Sequence, residues 1–321
     1  MKKIKDVHIL VVGDIGVDKY IYTEMNRISP EAPVPIVNFK NAKAKLGLAG
    51  NVVENIHSIG AKVSFIGSIG DKGGFDSSFI SRSLKSKCTN FHLFNKRNSP
   101  TTVKQRIIAN NQQMILRMDI EDPSPITLNR NELMEGFLDF NSFDVIIISD
   151  YDKGFITSGV MNFIQQYKKT DCQILVDPAP SNCWDVYSDV FLIKPNMKEF
   201  LLYEDNCLDL HNGSPEFILK TKGKDGMDLF RYCQATQGSC DRLELIQTFK
   251  ATAQQVYDVT GAGDTVIAIL AVCIDMGIGL EESILISNCA AGISVSKQGT
   301  YALSKEEFEL LLSLSHRIRI S

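Results

Sequence analysis

Short, uninterrupted apolar runs that stop at a polar residue recur along this chain, and no other feature of the sequence restricts its fold as much. His8 to Val12 precedes Gly13-Asp14, and Val145 to Ile148 precedes Ser149-Asp150. Ile174 to Val176 leads into Asp177-Pro178, Phe191 to Ile193 into Lys194-Pro195-Asn196, and Phe217 to Leu219 into Lys220-Thr221. A strand with no polar side suits a parallel sheet that helices cover on both faces. The expectation is an α/β fold, a three-layer sandwich around a mostly parallel central sheet. Such sheets bind ligands beyond the carboxyl ends of their strands. Here those ends carry Asp14, Asp150, Asp177, Asn196 and Thr221.

Two stretches alternate instead. Residues 19–40 and 101–119 switch between apolar and polar, as in Thr102-Val103-Lys104-Gln105-Arg106-Ile107, and Asn110-Asn111-Gln112-Gln113 reads as a hairpin turn. With period two, Lys104 and Arg106 share one face. These stretches are expected to form a small β lid on the central sheet. No repeat or linker divides the chain, so residues 1–321 read as one domain.

Charge and apolar run length narrow the setting. With 34 basic and 38 acidic side chains the net charge is −4, which leaves no electrostatic footprint for nucleic acid or an anionic membrane. The apolar run near the N-terminus covers only Ile9 to Val12, too short for a signal-peptide core. The longest run, Val266 to Ile274, is half the roughly 18–20 residues of a membrane helix. The eight cysteines form no Cys-x-x-Cys pair and the five histidines are scattered, so free thiols are expected in place of disulfides or zinc. A cytoplasmic protein is the expectation.

The segment that carries chemistry is Asp258-Val259-Thr260-Gly261-Ala262-Gly263-Asp264. Thr265 to Ile274 follows as a buried helix with a stop at Gly277. Small residues at 261–263 let backbone amides face a ligand, and amides at a helix N-terminus bind anions. Asp264 beside such a site suits phosphoryl transfer, which needs donors for the moving group and a carboxylate to take the attacking hydroxyl's proton. The helix N-terminus is expected to lower the pKa of Asp264. Neither a P-loop nor a dinucleotide fingerprint is present.

Asp258 to Asp264 resembles the C-terminal signature of the PfkB (ribokinase-like) carbohydrate kinases. Leu46-Gly47-Leu48-Ala49-Gly50-Asn51 is similar to their N-terminal glycine motif. The likeness runs over nearly the whole chain and is greatest to the D-glycero-β-D-manno-heptose 7-phosphate kinases. It rests there on Gly13-Asp14 through Asp18, Arg27 to Pro35, Asn111-Gln112-Gln113, Ser149 to Gly154 and Val256 to Thr260. The resemblance implies a ribokinase-like fold and ATP-dependent phosphorylation of the anomeric hydroxyl of heptose 7-phosphate to the 1,7-bisphosphate. That reaction belongs to the making of ADP-heptose for the lipopolysaccharide core. The resemblance also implies Mg²⁺, room for a monovalent cation, and a homodimer formed through the lid. Bifunctional relatives carry a nucleotidyltransferase domain with a His-x-Gly-His motif. The sequence has no such motif, so adenylylation is expected from a separate protein.

Site roles follow from the same resemblance. Asp264 is the implied base, and the amides of Gly261, Ala262 and Gly263 are the anion hole. Asp18 and Asn51 match positions that hold sugar hydroxyls, and Gly47 lets the chain approach the sugar. Asn196 and Glu199 match an Asn-x-x-Glu motif near the phosphates, with Glu199 acting on Mg²⁺ through water. Thr221 and Gly223 match a nucleotide loop, and Asn288 flanks the adenine pocket.

Lys104 and Arg106, on the expected lid, are read from their charge as partners for the substrate's own phosphate. Asp150 and Asp177 are strand-end candidates for the substrate, one of them a structural loop anchor. Plainer roles stand beside these: a turn cap for Asp18, a helix N-cap for Asn51, a strand-to-helix junction for Asn196 and Glu199, and solvated surface for Lys222-Gly223-Lys224. Two departures bear on substrate: Leu48 stands where the signature has glycine, and Ala179 where the heptose branch has lysine. They keep open a kinase for ribose, fructose or a related phosphosugar. A silent sugar or nucleotide sensor is a further alternative, against which the retained Asp264 argues.

Overall fold

Alternate side chains of the first strand enter two different cores, which is why its apolar run has no polar side. In the computed structural model, β1 (His8–Ile28) sends Ile9 and Val11 into one core and Leu10 and Val12 into the other, all fully buried. The structure describes residues 2–320 apart from 73, 111–112, 137–138, 181–183, 207–213, 234–241, 254 and 298. The same division holds in β7 (Val145–Ser149) and β8 (Gln173–Asp177). The remaining apolar runs form β9 (Leu192–Ile193) and β10 (Phe217–Thr221).

The central sheet also contains four strands that the apolar runs do not mark. They are β3 (Lys62–Gly70), β4 (Phe91–Lys96), β11 (Met227–Cys233) and β12 (Arg242–Phe249). The order is β12-β11-β10-β9-β8-β7-β1-β3-β4. Pairing is parallel from β10 to β4, while β11 and β12 are antiparallel at one edge. One face is covered by α1 (Ala49–Ser58), α6 (Ala262–Asp275) and α7 (Leu280–Val295). The other is covered by α3 (Arg130–Gly136), α4 (Ser158–Tyr167) and α5 (Met197–Asn206). α2 (Gly74–Lys87) adds Ile80 and Leu84 to the first core, and α8 (Lys305–Ile320) adds Phe308. The three layers expected from sequence are present.

β1 does not stop at Asp14. Its pairing with β3 ends there, and the strand continues into a second, smaller sheet. In that sheet it pairs antiparallel with β2 (Pro35–Leu48) from Ile15 onward and parallel with β5 (Thr102–Ala109) from Gly16 onward. β6 (Gln113–Ile120) pairs with β5. The tight crossing requires glycine: a Cβ on Gly13 would lie 2.2 Å from the Ser149 carbonyl oxygen. The expected lid segments lie in this sheet, which extends beyond 19–40: it takes in β1 from Ile15 to Ile28 and β2 from Pro35 to Leu48. Asn111 and Gln112 of the expected turn lie outside the described residues. Asn110 beside them accepts from the Met25 amide at 3.3 Å and donates to the Met25 carbonyl at 2.9 Å.

The register gives the small sheet two unlike faces. Asp18, Tyr20, Lys104 and Arg106 share one, and Val37, Phe39, Leu116, Met118 and Ile120 share the other and are exposed. α6 begins three residues earlier than the expected helix. It ends at Gly277, whose φ of +81° lets the Ile278 amide reach back to the Cys273 carbonyl at 3.0 Å. Cys88, Cys172, Cys233, Cys273 and Cys289 are free thiols, as expected, whereas Cys183, Cys207 and Cys240 lie outside the described residues.

Candidate active site

Gly261 sets up the site. It precedes α6 at φ +83°, and a Cβ there would lie 2.6 Å from Asn51 Nδ2. The bend brings Asp264, only 6% exposed, against α1. Asn51 Nδ2 donates to Asp264 Oδ2 at 2.7 Å, and the Tyr151 hydroxyl donates to Oδ1. Asn51 therefore does not cap its helix. The N-cap is Leu48, at φ 57° and ψ −135°, a backbone state that suits the glycine expected there. Thr265 Oγ1 donates to Asn55 Oδ1 at 3.2 Å, and Asn55 Nδ2 to the Asn51 carbonyl at 2.8 Å, which fixes α1 on α6.

The expected direction of the Asp264 shift is reversed. Its pKa is raised to about 6, because burial penalises the carboxylate and Asp177 adds like charge. Asn51, Tyr151 and Lys194 favour the ionised form but do not offset the loss of water. The helix end loses this contest. Tyr151 itself is half-buried, and its phenol pKa is raised well above the usual value, first by loss of water around the hydroxyl and then by Asp264.

The two strand-end candidates separate. Asp150 accepts from the Tyr187 hydroxyl at 2.6 Å and from the Asp152 amide at 2.8 Å. Burial and the neighbouring Asp14 raise its pKa to about 7. Asp14 accepts from the amides of Tyr151, Lys153 and Phe155 at 2.9, 3.0 and 3.1 Å. Asp14 and Asp150 thus anchor the turn that delivers Tyr151. Asp177 instead accepts from Lys194 Nζ at 2.9 Å and acts on Asp264.

On the small sheet, Arg106 donates to Asp18 Oδ1 at 2.7 Å and lies 5.3 Å from the centre of the Tyr20 ring. The close approach of Gly47 serves that carboxylate: a Cβ there would be 3.0 Å from Asp18 Oδ2. Lys104 lies 5.4 Å from the centre of the Tyr151 ring, and burial lowers its pKa. Both expected cations are on one face as period two requires, but Arg106 is already ion-paired. Tyr20, Tyr22, Lys43, Lys45, Arg106 and Asp258 border a cavity of about 410 Å³. Asn51, Lys45 and Thr300 border a second of about 440 Å³.

The nucleotide candidates occupy a third cluster. The Asn196 amide donates to Glu199 Oε2 at 2.8 Å, its side-chain amide donates to Oε1, and the Glu199 amide donates to Asn196 Oδ1 at 3.1 Å. This is a capping box at the start of α5. Thr221 is bridged to Asn196, and its amide donates to the Pro195 carbonyl at 2.9 Å. Burial and then Asp177 raise the pKa of Glu199, which ties this cluster to the Asp264 group. Gly223 opens a short turn at φ +57°. Asn288, buried, donates to the Lys250 carbonyl at 2.7 Å and so pins that segment to α7.

Tyr151 and Lys194 belong to this carboxylate cluster by geometry, and reasoning from sequence did not single them out. Tyr151 lies within the Ser149 to Gly154 motif, and Lys194 directly follows the apolar run Phe191 to Ile193. Neither has a residue type that marks it as part of a carboxylate cluster. A ¹³C carboxyl NMR titration tests the electrostatics: the Asp264 midpoint is expected near pH 6. Asn51→Ala or Tyr151→Phe, each removing a donor to the carboxylate, should move it upward. A midpoint near the ordinary 3.8 would contradict burial as the dominant cause.

The model of the pfkB family carbohydrate kinases matches residues 7–307. Among curated relatives, the bifunctional protein HldE of Sulfurimonas denitrificans is 36% identical over 305 residues, covering 94% of this chain and 63% of its own. HldE of Coxiella burnetii is 34% identical over 324 residues, covering 98% of this chain and 64% of its own. The chain thus spans less than two thirds of the length of these relatives. Among solved structures, Arabidopsis thaliana ribokinase complexed with ribose and ATP superposes with a TM-score of 0.66 at 18% identity, covering 95% of this chain and 98% of that one. Phosphofructokinase-2 from Escherichia coli, in complex with substrates and products, gives 0.67 at 15%, covering 97% and 99%. At these identities the structures establish a shared ribokinase-like fold. With the family match running from the first central strand into α8, the chain belongs to the pfkB family of carbohydrate kinases.

Proposed function

We propose that this chain is the kinase that phosphorylates the anomeric hydroxyl of D-glycero-D-manno-heptose 7-phosphate at the expense of ATP, giving the 1,7-bisphosphate. The observation that carries the reading is Asp264: buried at the start of a helix whose leading amides are free of bulky side chains, with a pKa raised to about 6. Such a carboxylate is ionised at neutral pH yet basic enough to take a proton. The sugar oxygen attacks the γ-phosphorus while the bond to the leaving ADP oxygen breaks, and the hydroxyl proton passes to Asp264 as the new bond forms. The amides of Gly261, Ala262 and Gly263 bind the charge on the moving group. In this reading the sugar hydroxyl takes the place of the Tyr151 hydroxyl on Asp264 Oδ1.

Similarity to the bifunctional HldE proteins over the part that this chain spans supports the heptose branch. So does the Arg27 to Pro35 motif. The cavity of about 410 Å³, bordered by Lys43, Lys45 and Arg106, suits the substrate's own phosphate, with Lys104 over the Tyr151 ring. Asp18 and Asn51 are the candidates for sugar hydroxyls, Thr221, Gly223 and Asn288 for the nucleotide.

No group of three or more metal-ligating side chains occurs among the described residues. That fits Mg²⁺ bound chiefly by nucleotide phosphates and water, with hard carboxylate oxygens from Asp177 and Glu199 nearby. When bound, the ion neutralises charge on the nucleotide phosphates. The product would feed ADP-heptose and lipopolysaccharide-core synthesis in the cytoplasm. No described helix is long and apolar enough to cross a membrane.

Sugar-dependent ADP release over heptose 7-phosphate, ribose, fructose and fructose 6-phosphate tests the assignment. Heptose 7-phosphate is expected to give the highest kcat/KM, and Asp264→Asn to lower kcat by roughly 10²- to 10⁴-fold. A plain sugar outrunning heptose 7-phosphate would return the chain to the ribose or fructose reading, and full turnover by Asp264→Asn would remove the base.

The exposed apolar face of the small sheet supports a homodimer in which two copies cover Phe39, Leu116 and Met118. Sedimentation should give twice the chain mass for the wild type and the single-chain mass for Phe39→Asp/Leu116→Asp. A wild type that sediments as one chain contradicts it.

A further inference from the structure

We infer that Tyr151 sets the acceptor specificity of this kinase against water: its hydroxyl covers the Asp264 carboxylate until a sugar displaces it, so that ATP is spared from hydrolysis while the sugar site is empty. The inference rests on the kinase reading above and deepens it.

Shape alone does not keep water from the base. A pocket that admits a sugar hydroxyl between Asp264 and the anion hole also admits a water molecule, which is smaller and carries an equivalent nucleophilic oxygen. In hydrolysis the water oxygen bonds to the γ-phosphorus and the bond to the ADP oxygen breaks. The water's proton passes to Asp264 and from there to solvent, leaving ADP and inorganic phosphate. A base placed for the sugar serves this side reaction too, so it must be occupied when no sugar is bound.

Both carboxylate oxygens are occupied. Oδ2 accepts from Asn51 Nδ2 at 2.7 Å, and Oδ1 accepts from the Tyr151 hydroxyl. A hydroxyl donating to a carboxylate is a charge-assisted contact. The two donors are held differently. Asn51 is buried on α1, against Gly261. Tyr151 is half-buried, and it is the main chain of its turn that is fixed, since Asp14 accepts from the amides of Tyr151, Lys153 and Phe155. The tyrosine side chain can therefore turn off the base while the backbone stays in place.

The small sheet supplies the means of displacement. Lys104 Nζ lies 5.4 Å from the centre of the Tyr151 ring, and the β1–β5 register sets Lys104 beside Asp18. A sugar held by Asp18 arrives next to this contact, where its hydroxyls compete for the Lys104 ammonium and for Asp264 together. Water makes no comparable set of contacts, so nothing offsets its loss of the Tyr151–Asp264 hydrogen bond.

The test is the rate of ATP hydrolysis without sugar, divided by the rate of ATP consumption with the best acceptor of the sugar panel, in wild type and Tyr151→Phe. Phenylalanine keeps the ring beneath Lys104 and uncovers Oδ1. The ratio is expected to rise by roughly 10- to 100-fold, the range that one hydrogen bond to a charged group represents, with the sugar-free rate itself above that of wild type. Both reactions use one base, so a change in its strength moves both rates and leaves the ratio where it was. An unchanged ratio in the folded variant overturns the assignment. So does a ratio raised only through loss of sugar turnover.

A wild-type measurement needs no variant to fold. In protein carrying ¹³C at the tyrosine ζ carbon, the Tyr151 resonance should move when the acceptor sugar is added without nucleotide, because the hydroxyl loses its carboxylate partner. A resonance unmoved by saturating sugar overturns the assignment. Absence of sugar-dependent turnover in the wild type removes the kinase reading and this role with it, whereas an active wild type whose ratio Tyr151→Phe leaves unchanged removes this role alone.

Discussion

A carboxylate kept out of water at the positive end of a helix is the interaction on which the rest of this structure turns. A helix terminus stabilises a nearby anion by roughly 0.3–1 kcal/mol at the surface. Raising the Asp264 pKa from 3.8 to about 6 corresponds to about 3 kcal/mol in the opposite direction. Burial wins because the carboxylate is almost wholly withdrawn from water and Asp177 adds like charge, so the hydrogen bonds from Asn51 and Tyr151 recover only part of the loss. The outcome favours chemistry near neutral pH: a weaker acid is a stronger base, and it still ionises.

Holding that carboxylate engages much of the scaffold. Gly261 turns the chain so that Asn51 fits against it, and the strained backbone of Leu48 starts the helix that carries Asn51. Asp14 and Asp150, both buried, give their oxygens to the 150–155 turn and its neighbour Tyr187, and Tyr151 is the part of that turn that reaches Asp264. From the other side, Lys194 and Asp177 stand at adjacent strand ends beneath Gly263. β1 joins these parts to the small sheet, since the strand that ends one β-ladder at Asp14 places Asp18 and Tyr20 four and six residues later.

The layered fold was readable because strands buried on both faces leave a continuous apolar trace, as in β7 and β8. Edge strands leave a weaker one. β12 is exposed along most of its length and carries Arg242, Glu244 and Gln247 among its apolar residues. The unbroken passage of β1 between two sheets was hidden by Gly13-Asp14, which reads as a stop and serves as a crossing. At the site, glycine spacing and a following apolar helix pointed to Asp264, but the sign of its shift depends on how much protein surrounds it, which one-dimensional spacing does not contain. Tyr151 and Lys194 were missed for a related reason: each meets Asp264 or Gly263 only through pairing between distant strands. The Arg27 to Pro35 block, so informative as a motif, spans the exposed turn between β1 and β2.

A crystal structure with ADP, aluminium fluoride and heptose 7-phosphate bound tests the central claim most directly. The account predicts the planar fluoride against the amides at the start of α6, with the anomeric oxygen about 2.6–3.2 Å from the Asp264 carboxylate and the Tyr151 hydroxyl displaced. A fluoride bound elsewhere, with Asp264 still enclosed by Asn51 and Tyr151, would contradict it.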